Sequence, residues 1–423
     1  MLDIKLIREN PEQVKNKLKT RGNIYTLVDS ILDLDKKRRD FIQEGERLKG
    51  LRNSVSQEIA RLKKEGKDAA ELISDMKNTS DEIKGIDEKL GDTEKEIDVI
   101  LRDIPNLPED NVPPGKTPDD NVQVKIWGER PSGDFKFLDH VELGKKNDIV
   151  NFEIGAKISG SGFPFYKGKG AILERSLINF MLDSHKQNGY TEVFVPFLVN
   201  RASMEGAEKV PKFEEDMYRT DPDDLFAIPT AEVPIINIHR DEILKTEDLP
   251  VKYCGYTACF RREAGSYGKD TKGFLRVHQF NKVELVNFCL PEKSYEELQN
   301  MLGHACGILE ALNIHYRVIE LCTGDIGFAA SKCYDIEVWS PAENKWLEAS
   351  SVSNCTDFQS RRAQIRFRRN EPKSKPEYVH ILNGSGLATS RLYVALIESN
   401  QTPEGKIIVP KALQKYTGFE IIE

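Results

Sequence analysis

No apolar run in this chain approaches the ~18 residues that a membrane span needs. The first ten residues, MLDIKLIREN, carry a charge every few positions and lack the apolar core of a leader peptide. A soluble, cytoplasmic protein with no membrane partner is expected. The seven cysteines are odd in number and scattered, and none forms a C-x-x-C pair, so the expectation is reduced thiols and no zinc. Positive charge is also in short supply. A net charge of −8 argues against a protein that coats nucleic acid wholesale, so any RNA must be met by local basic surface. Between Val28 and Ile104 proline is missing and Phe41 is the one aromatic residue.

What fills that stretch is helix chemistry. Leu34, Phe41, Leu48, Val55 and Leu62 recur every seven residues, as do Met76, Ile83, Leu90, Ile97 and Ile104. The companion column of the second arm is Leu72, Thr79, Ile86, Thr93 and Ile100; in the first it is half polar, with Ile31, Arg38, Gly45, Arg52 and Ile59. Lys63–Asp68, KKEGKD, is a natural turn, so the pattern predicts an antiparallel helical hairpin whose arms each extend about 55 Å. The first arm holds ten basic against seven acidic residues, net +3, and the second six against thirteen, net −7. A stripe of Lys36, Lys37, Arg38, Arg39, Arg47, Lys49, Arg52 and Arg61 suits either a phosphate backbone or a solvated coiled-coil face.

Proline returns at Pro105, Pro108, Pro113, Pro114 and Pro118, which ends the helix. The organisation predicted is an N-terminal domain over 1–104 with its hairpin at about 28–104, a linker over 105–118, and a larger domain over 119–423. In the last, short β-rich runs such as TEVFVPFLV, KVELVNF and YDIEVWS alternate irregularly with helical segments. Irregular spacing argues for α+β, an antiparallel sheet with flanking helices, over a doubly wound fold.

The stretch from Phe260 to Phe280, FRREAGSYGKDTKGFLRVHQF, reads as two strands joined by a basic, glycine-rich loop. Alternate strand residues share a face, so Arg261 and Glu263 are expected to point together, as are Val277 and Gln279. Guanidinium for phosphate, carboxylate for an exocyclic amine and an aromatic ring for a base are what ATP requires. F-R-x-E, a loop, then R-x-x-Q-F resembles motif 2 of the class II aminoacyl-tRNA synthetases. That likeness implies two more motifs. AILERSLINFMLDSHKQNG running into TEVFVP resembles motif 1, which in that class forms a homodimer interface, and Asn383–Gln401, NGSGLATSRLYVALIESNQ, resembles motif 3, in which Arg391 would grip the γ-phosphate. Glu348–Arg368 resembles the remaining nucleotide-side element, in which Glu348 and Ser351 would ligate Mg²⁺ with Ala349 and Ser350 between them. Arg361, Arg362, Arg366, Arg368 and Arg369 are expected mostly in salt bridges and solvent.

From Met1 to the C-terminal VPKALQKYTG the chain resembles the seryl-tRNA synthetases. IPTAEVP, NKVELV and LNGSG supply Thr230, Ala231, Glu232, Glu284, Asn383 and Ser385, which with Arg261 match that family's serine-binding positions. The resemblance implies ATP contacts at Arg261, Arg262, Glu263, Val277, Phe280, Glu348, Ala349, Ser350, Ser351 and Arg391, with Arg261, Glu348 and Arg391 as the catalytic groups. It implies attachment of L-serine to tRNA(Ser) through a seryl-adenylate, serylation of tRNA(Sec) where present, and a hairpin that reaches the long variable arm. The loop Gly265–Gly273, with Lys269 and Lys272, would meet the acceptor end. Two rivals on the same fold are a ligase that charges a carrier protein and a non-catalytic tRNA-binding relative.

Overall fold

Unbroken heptads without proline form two long helices, α1 (Leu27–Lys64) and α2 (Ala70–Asp103), which turn back on each other around Lys63–Asp68. They lie in the first of two units, Met1–Leu107 and Pro108–Glu423, of a computed structural model that describes residues 1–264 and 272–423. Leu48, Ile59, Ile83, Ile97 and Leu101 are buried along the seam. Its polar positions are tolerated for two reasons. Gly45 faces Ile86 at ordinary contact distance, a Cβ there lying 3.7 Å from Ile86 Cγ2, and Arg38 turns aside to Asp35, at 2.9 Å. Asp35 is 1% exposed and collects Arg8 and Arg39 as well, each at 3.2 Å. Burial disfavours its charge, but Arg38 and Arg8 outweigh that and hold the carboxyl below its usual range. Much of the basic stripe is paired too: Arg47 with Glu44, Arg61 with Glu58, and Lys49 across to Asp87.

The proline-rich stretch is shared between the units. Pro105 and Asn106 are buried in the first, whereas Val112 packs in the second against Leu321, Ile326, Ala330 and Cys333.

The second unit is built on one eight-stranded sheet. Its strands are β1 (Val122–Trp127), β2 (Thr191–Glu192), β3 (Val251–Phe260), β4 (Gln279–Cys289), β5 (Tyr316–Glu320), β6 (Lys332–Ser340), β7 (Lys345–Asn354) and β8 (His380–Ala388). They lie in the order β1-β5-β6-β7-β8-β4-β3-β2, every neighbouring pair antiparallel except β2 with β3. Three amphipathic helices pack on it: α3 (Lys169–Gln187), α4 (Ser294–Ala311) and α5 (Thr389–Ser399). Leu173, Leu177 and Met181 recur every four residues on α3, the spacing of one buried helical face. Asn188 ends that helix and Gly189, at φ 85°, supplies the left-handed turn into β2.

β4 is buried on both faces, which is why its sequence alternates incompletely. Val283 and Leu285 join the core that includes Leu177, Met301 and Tyr393, while Val286 and Phe288 join a separate cluster with Phe226, Phe367 and Ile381. The second face changes character along the strand: beyond Val286 it presents Glu284, Lys282 and Phe280. The shared strand face expected for Arg261 and Glu263 is not found. β3 ends at Phe260, and Glu263 adopts left-handed backbone at φ 53°, so the two residues are placed by the loop and not by strand parity. Gln279 faces away from Phe280, and Val277 precedes the strand. All seven cysteines are buried and unpaired with one another, and among the described residues no helix is long and apolar enough to cross a membrane.

Replacing Asp35 with alanine removes the acceptor that three arginines share, and should cost the first unit about 2 kcal/mol. Amide hydrogen exchange would register this as at least about tenfold lower protection across α1 and α2, with β3 and β4 unchanged.

Candidate active site

The polar face of β4 opens into a cavity of ≈ 640 Å³. Strands β4, β7 and β8, helix α5 and the segments around Lys209, Thr230–Glu232, Arg261–Glu263 and Arg276 aim side chains into it, and two bulges help the strands do so. In β7 the register with β6 slips between Glu348 and Ser350, so Glu348, Ala349, Ser350 and Ser351 all line the cavity where a regular strand would offer alternate residues. A slip in β8 between Ser385 and Ala388 does the same for those two residues. The intervening Gly386 has no room for a side chain, because a Cβ would lie 2.5 Å from His185 Nε2.

At one end of the cavity sit two buried carboxylates. Glu284 is 2% exposed, accepts from Thr230 Oγ1 at 3.0 Å, and is ion-paired with Lys282. Glu232, 7% exposed, accepts from Lys209 Nζ at 3.0 Å, Gln359 Nε2 at 2.7 Å and Asn383 Nδ2 at 3.4 Å. Desolvation would raise the Glu232 pKa, but Lys209 above all, then Lys282 and Gln359, bring it below the ordinary value. Ser385 lines the same end, and Ser350 Oγ donates to its carbonyl at 2.6 Å.

The other end is cationic and aromatic. Arg261 stacks over Phe280, 5.1 Å from the ring centroid. Arg391, in the first turn of α5, donates to Glu348 O at 2.8 Å and reaches its carboxylate at 3.6 Å. Glu263 is bound by Arg276 at 2.7 Å, and Val277 completes the wall. Asp335 stands opposite Ser351 in the β6–β7 register, and burial followed by the charge of Glu348 pushes its carboxyl upward. Hard oxygen donors on Glu348 and Ser351, beside a second carboxyl that ionises only at a cost, fit a divalent cation such as Mg²⁺.

Fourteen of the sixteen expected serine and ATP residues therefore line one cavity. Ala231 is fully buried behind Thr230, and Arg262 turns away to the Glu215 carbonyl at 3.2 Å. Lys272 pairs with Asp139 at 2.5 Å, whereas Lys269 lies outside the described residues. Arg361 and Arg369 are in salt bridges, with Asp357 and with Glu292 and Glu377. Sequence reasoning missed Lys209, Lys282 and Gln359. The alternation of Phe280, Lys282 and Glu284 was a usable signal for Lys282. Lys209 and Gln359 come from segments far from Glu232 in sequence, and no local pattern pointed to them.

An antiparallel sheet bearing these motifs around one polar cavity defines a class II aminoacyl-tRNA synthetase. Residues 212–400 match the family model described as the tRNA synthetase class II core domain (G, H, P, S and T). Residues 1–108 match the seryl-tRNA synthetase N-terminal domain. The chain is 57% identical over 427 residues to the serine–tRNA ligase of Chloroherpeton thalassium, with 100% of each chain covered, and 56% identical to that of Chlorobaculum parvum, with the same coverage. Seryl-tRNA synthetase from Pyrococcus horikoshii, solved in complex with ATP, superposes with a TM-score of 0.95 at 41% identity, covering 100% of this chain and 99% of that one. The cytoplasmic serine–tRNA ligase of Naegleria fowleri, solved with AMP, gives 0.90 at 32% identity, with the same coverage. The chain belongs to the seryl-tRNA synthetase family: it is a class II ligase that charges tRNA with serine using ATP, and its N-terminal unit is the tRNA-binding one.

Lys282→Met leaves Glu284 buried without its cation and should cost about 3 kcal/mol of stability, read in the thermal unfolding of the second unit. Adding Glu284→Gln should recover most of that loss, which a double-mutant cycle measures.

Proposed function

We propose that the chain joins L-serine to tRNA(Ser) in two steps through a seryl-adenylate formed in the ≈ 640 Å³ cavity. The observation that carries this is the convergence of two buried, hydrogen-bonded carboxylates and two arginines on one space. Glu232 and Glu284 receive the α-ammonium and side-chain hydroxyl of serine, with Thr230, Asn383 and Ser385 completing the hydrogen bonds. A pocket built to pair a hydroxyl discriminates against alanine, because its own buried groups would be left unpaired. The serine carboxylate attacks the α-phosphorus of ATP in line, and pyrophosphate departs. Arg261 stabilises charge on the α-phosphoryl oxygens and Arg391 orients the leaving phosphates. Phe280 stacks on the adenine and Glu263 accepts from its amine, exchanging with Arg276. Glu348 and Ser351 would hold Mg²⁺, which neutralises phosphate charge when bound. No enzyme nucleophile is needed, so positioning supplies most of the rate. A terminal ribose hydroxyl of the tRNA then attacks the mixed anhydride and releases AMP.

The hairpin is assigned to the long variable arm of tRNA(Ser), with tRNA(Sec) a second substrate where it is present. Phe194, 84% exposed beside α3 and β2, supports a homodimer through the motif 1 face.

Serine-dependent ATP–pyrophosphate exchange, and then transfer to tRNA, tests the assignment; exchange with another amino acid but not with serine would sink it. Arg261→Ala should lower exchange by about a hundredfold or more. Removing residues 28–104 should spare exchange and abolish transfer to tRNA, and transfer by the intact chain should weaken with added salt.

A further inference from the structure

Helix α3 reaches the nucleotide end of the site without lining it. His185 Nε2 donates to Gly386 O at 2.6 Å, Leu387 N donates to Met181 Sδ at 3.2 Å, and Glu174 Oε1 lies 2.5 Å from Thr389 Oγ1. Thr389 opens α5 two residues before Arg391. The same Glu174 oxygen accepts from Asn281 Nδ2 at 2.8 Å, and Asn281 stands on β4 between Phe280 and Lys282. Thr389 Oγ1 is also 3.1 Å from the Asn281 carbonyl oxygen.

The number of available protons decides how this cluster is bonded. A threonine hydroxyl has one hydrogen, and a backbone carbonyl only accepts. One hydrogen shared between both oxygens gives two weak halves of a three-centre bond; each contact is a full hydrogen bond only if Thr389 donates to the Asn281 carbonyl and Glu174 donates to Thr389. An ionised Glu174 would set two acceptors against one proton. It would also strand charge on Oε2, which is buried with no partner among the described residues. We propose that Glu174 is held as a neutral carboxylic acid and is a positioning residue for ATP, its proton fixing the first turn of α5 and so Arg391.

The surroundings agree. Tyr166, Tyr256 and Tyr393 lie near the carboxyl and none brings a positive charge; Glu174 shares the wall of an adjoining cavity with Arg175 and Glu192. Burial pushes the carboxyl up to about 7, against the opposing pull of Thr389 and Asn281. The acid form therefore prevails on the acid side of neutrality and the donated bond is lost on the alkaline side.

The ATP role rests on the synthetase reading; the proton does not, and two measurements on the full-length protein separate them. Infrared difference spectra of wild type against Glu174→Gln should show a protonated-carboxyl C=O stretch that the variant lacks. In serine-dependent exchange, the wild-type KM for ATP should rise by about tenfold from the acid to the alkaline side of neutrality while the KM for serine stays level. Glu174→Gln, which cannot ionise, should keep the acid-side KM for ATP throughout, and Thr389→Val should raise it on both sides. No carboxyl band, an alkaline rise shared by Glu174→Gln, or a serine KM that moves with that of ATP would each overturn the proposal. Wild-type protein with no exchange would overturn both the synthetase reading and the ATP role, leaving the band to decide the proton alone.

Discussion

A buried carboxylate must be paired, and the active-site end of the sheet is arranged around that requirement. Glu232 and Glu284 are drawn out of water so that a small zwitterion can be recognised by hydrogen bonds, and each would be prohibitive there alone. Lys209, Gln359 and Asn383 answer the first, Thr230 and Lys282 the second. Those partners come from β4, β8, the loops that carry Lys209 and Thr230, and the short helix Phe358–Ala363 that carries Gln359, so the acids also tie these elements together. Bulges in β7 and β8 then turn consecutive residues toward the same space, which explains how one strand can offer both Glu348 and Ser351.

The two units solve burial differently. In the hairpin, stability is local: a seam of aliphatic residues, and Asp35 collecting three arginines. In the second unit β4 is packed on both faces, and a change of polarity along one of them, from Phe288 to Glu284, marks where packing gives way to chemistry. A rigid core beneath the cavity suits a reaction whose rate comes from positioning.

The hairpin was legible because heptad spacing is a one-dimensional signal: Leu34 to Leu62 and Met76 to Ile104 needed no partner to be read. The residues of the cavity were legible through motifs at Phe260–Phe280, Glu348–Ser351 and Asn383–Arg391. At Arg261 and Glu263 strand parity gave the right outcome for the wrong reason: both line the cavity, but the chain leaves the strand at Phe260 and the left-handed backbone of Glu263 redirects it there. Lys209 and Gln359 were illegible, being recruited to Glu232 by folding alone.

The sequence by itself determined the helical hairpin, the mixed α+β second unit and the chemical types gathered for ATP and serine, since periodicity and short motifs are written along the chain. Only the tertiary structure decided which cation neutralises which buried acid, which residues a bulge turns inward, and how Glu174 on α3 meets Thr389 and Asn281. Those are contacts between residues up to some two hundred positions apart, and the desolvation that gives them their strength exists only once the core has closed.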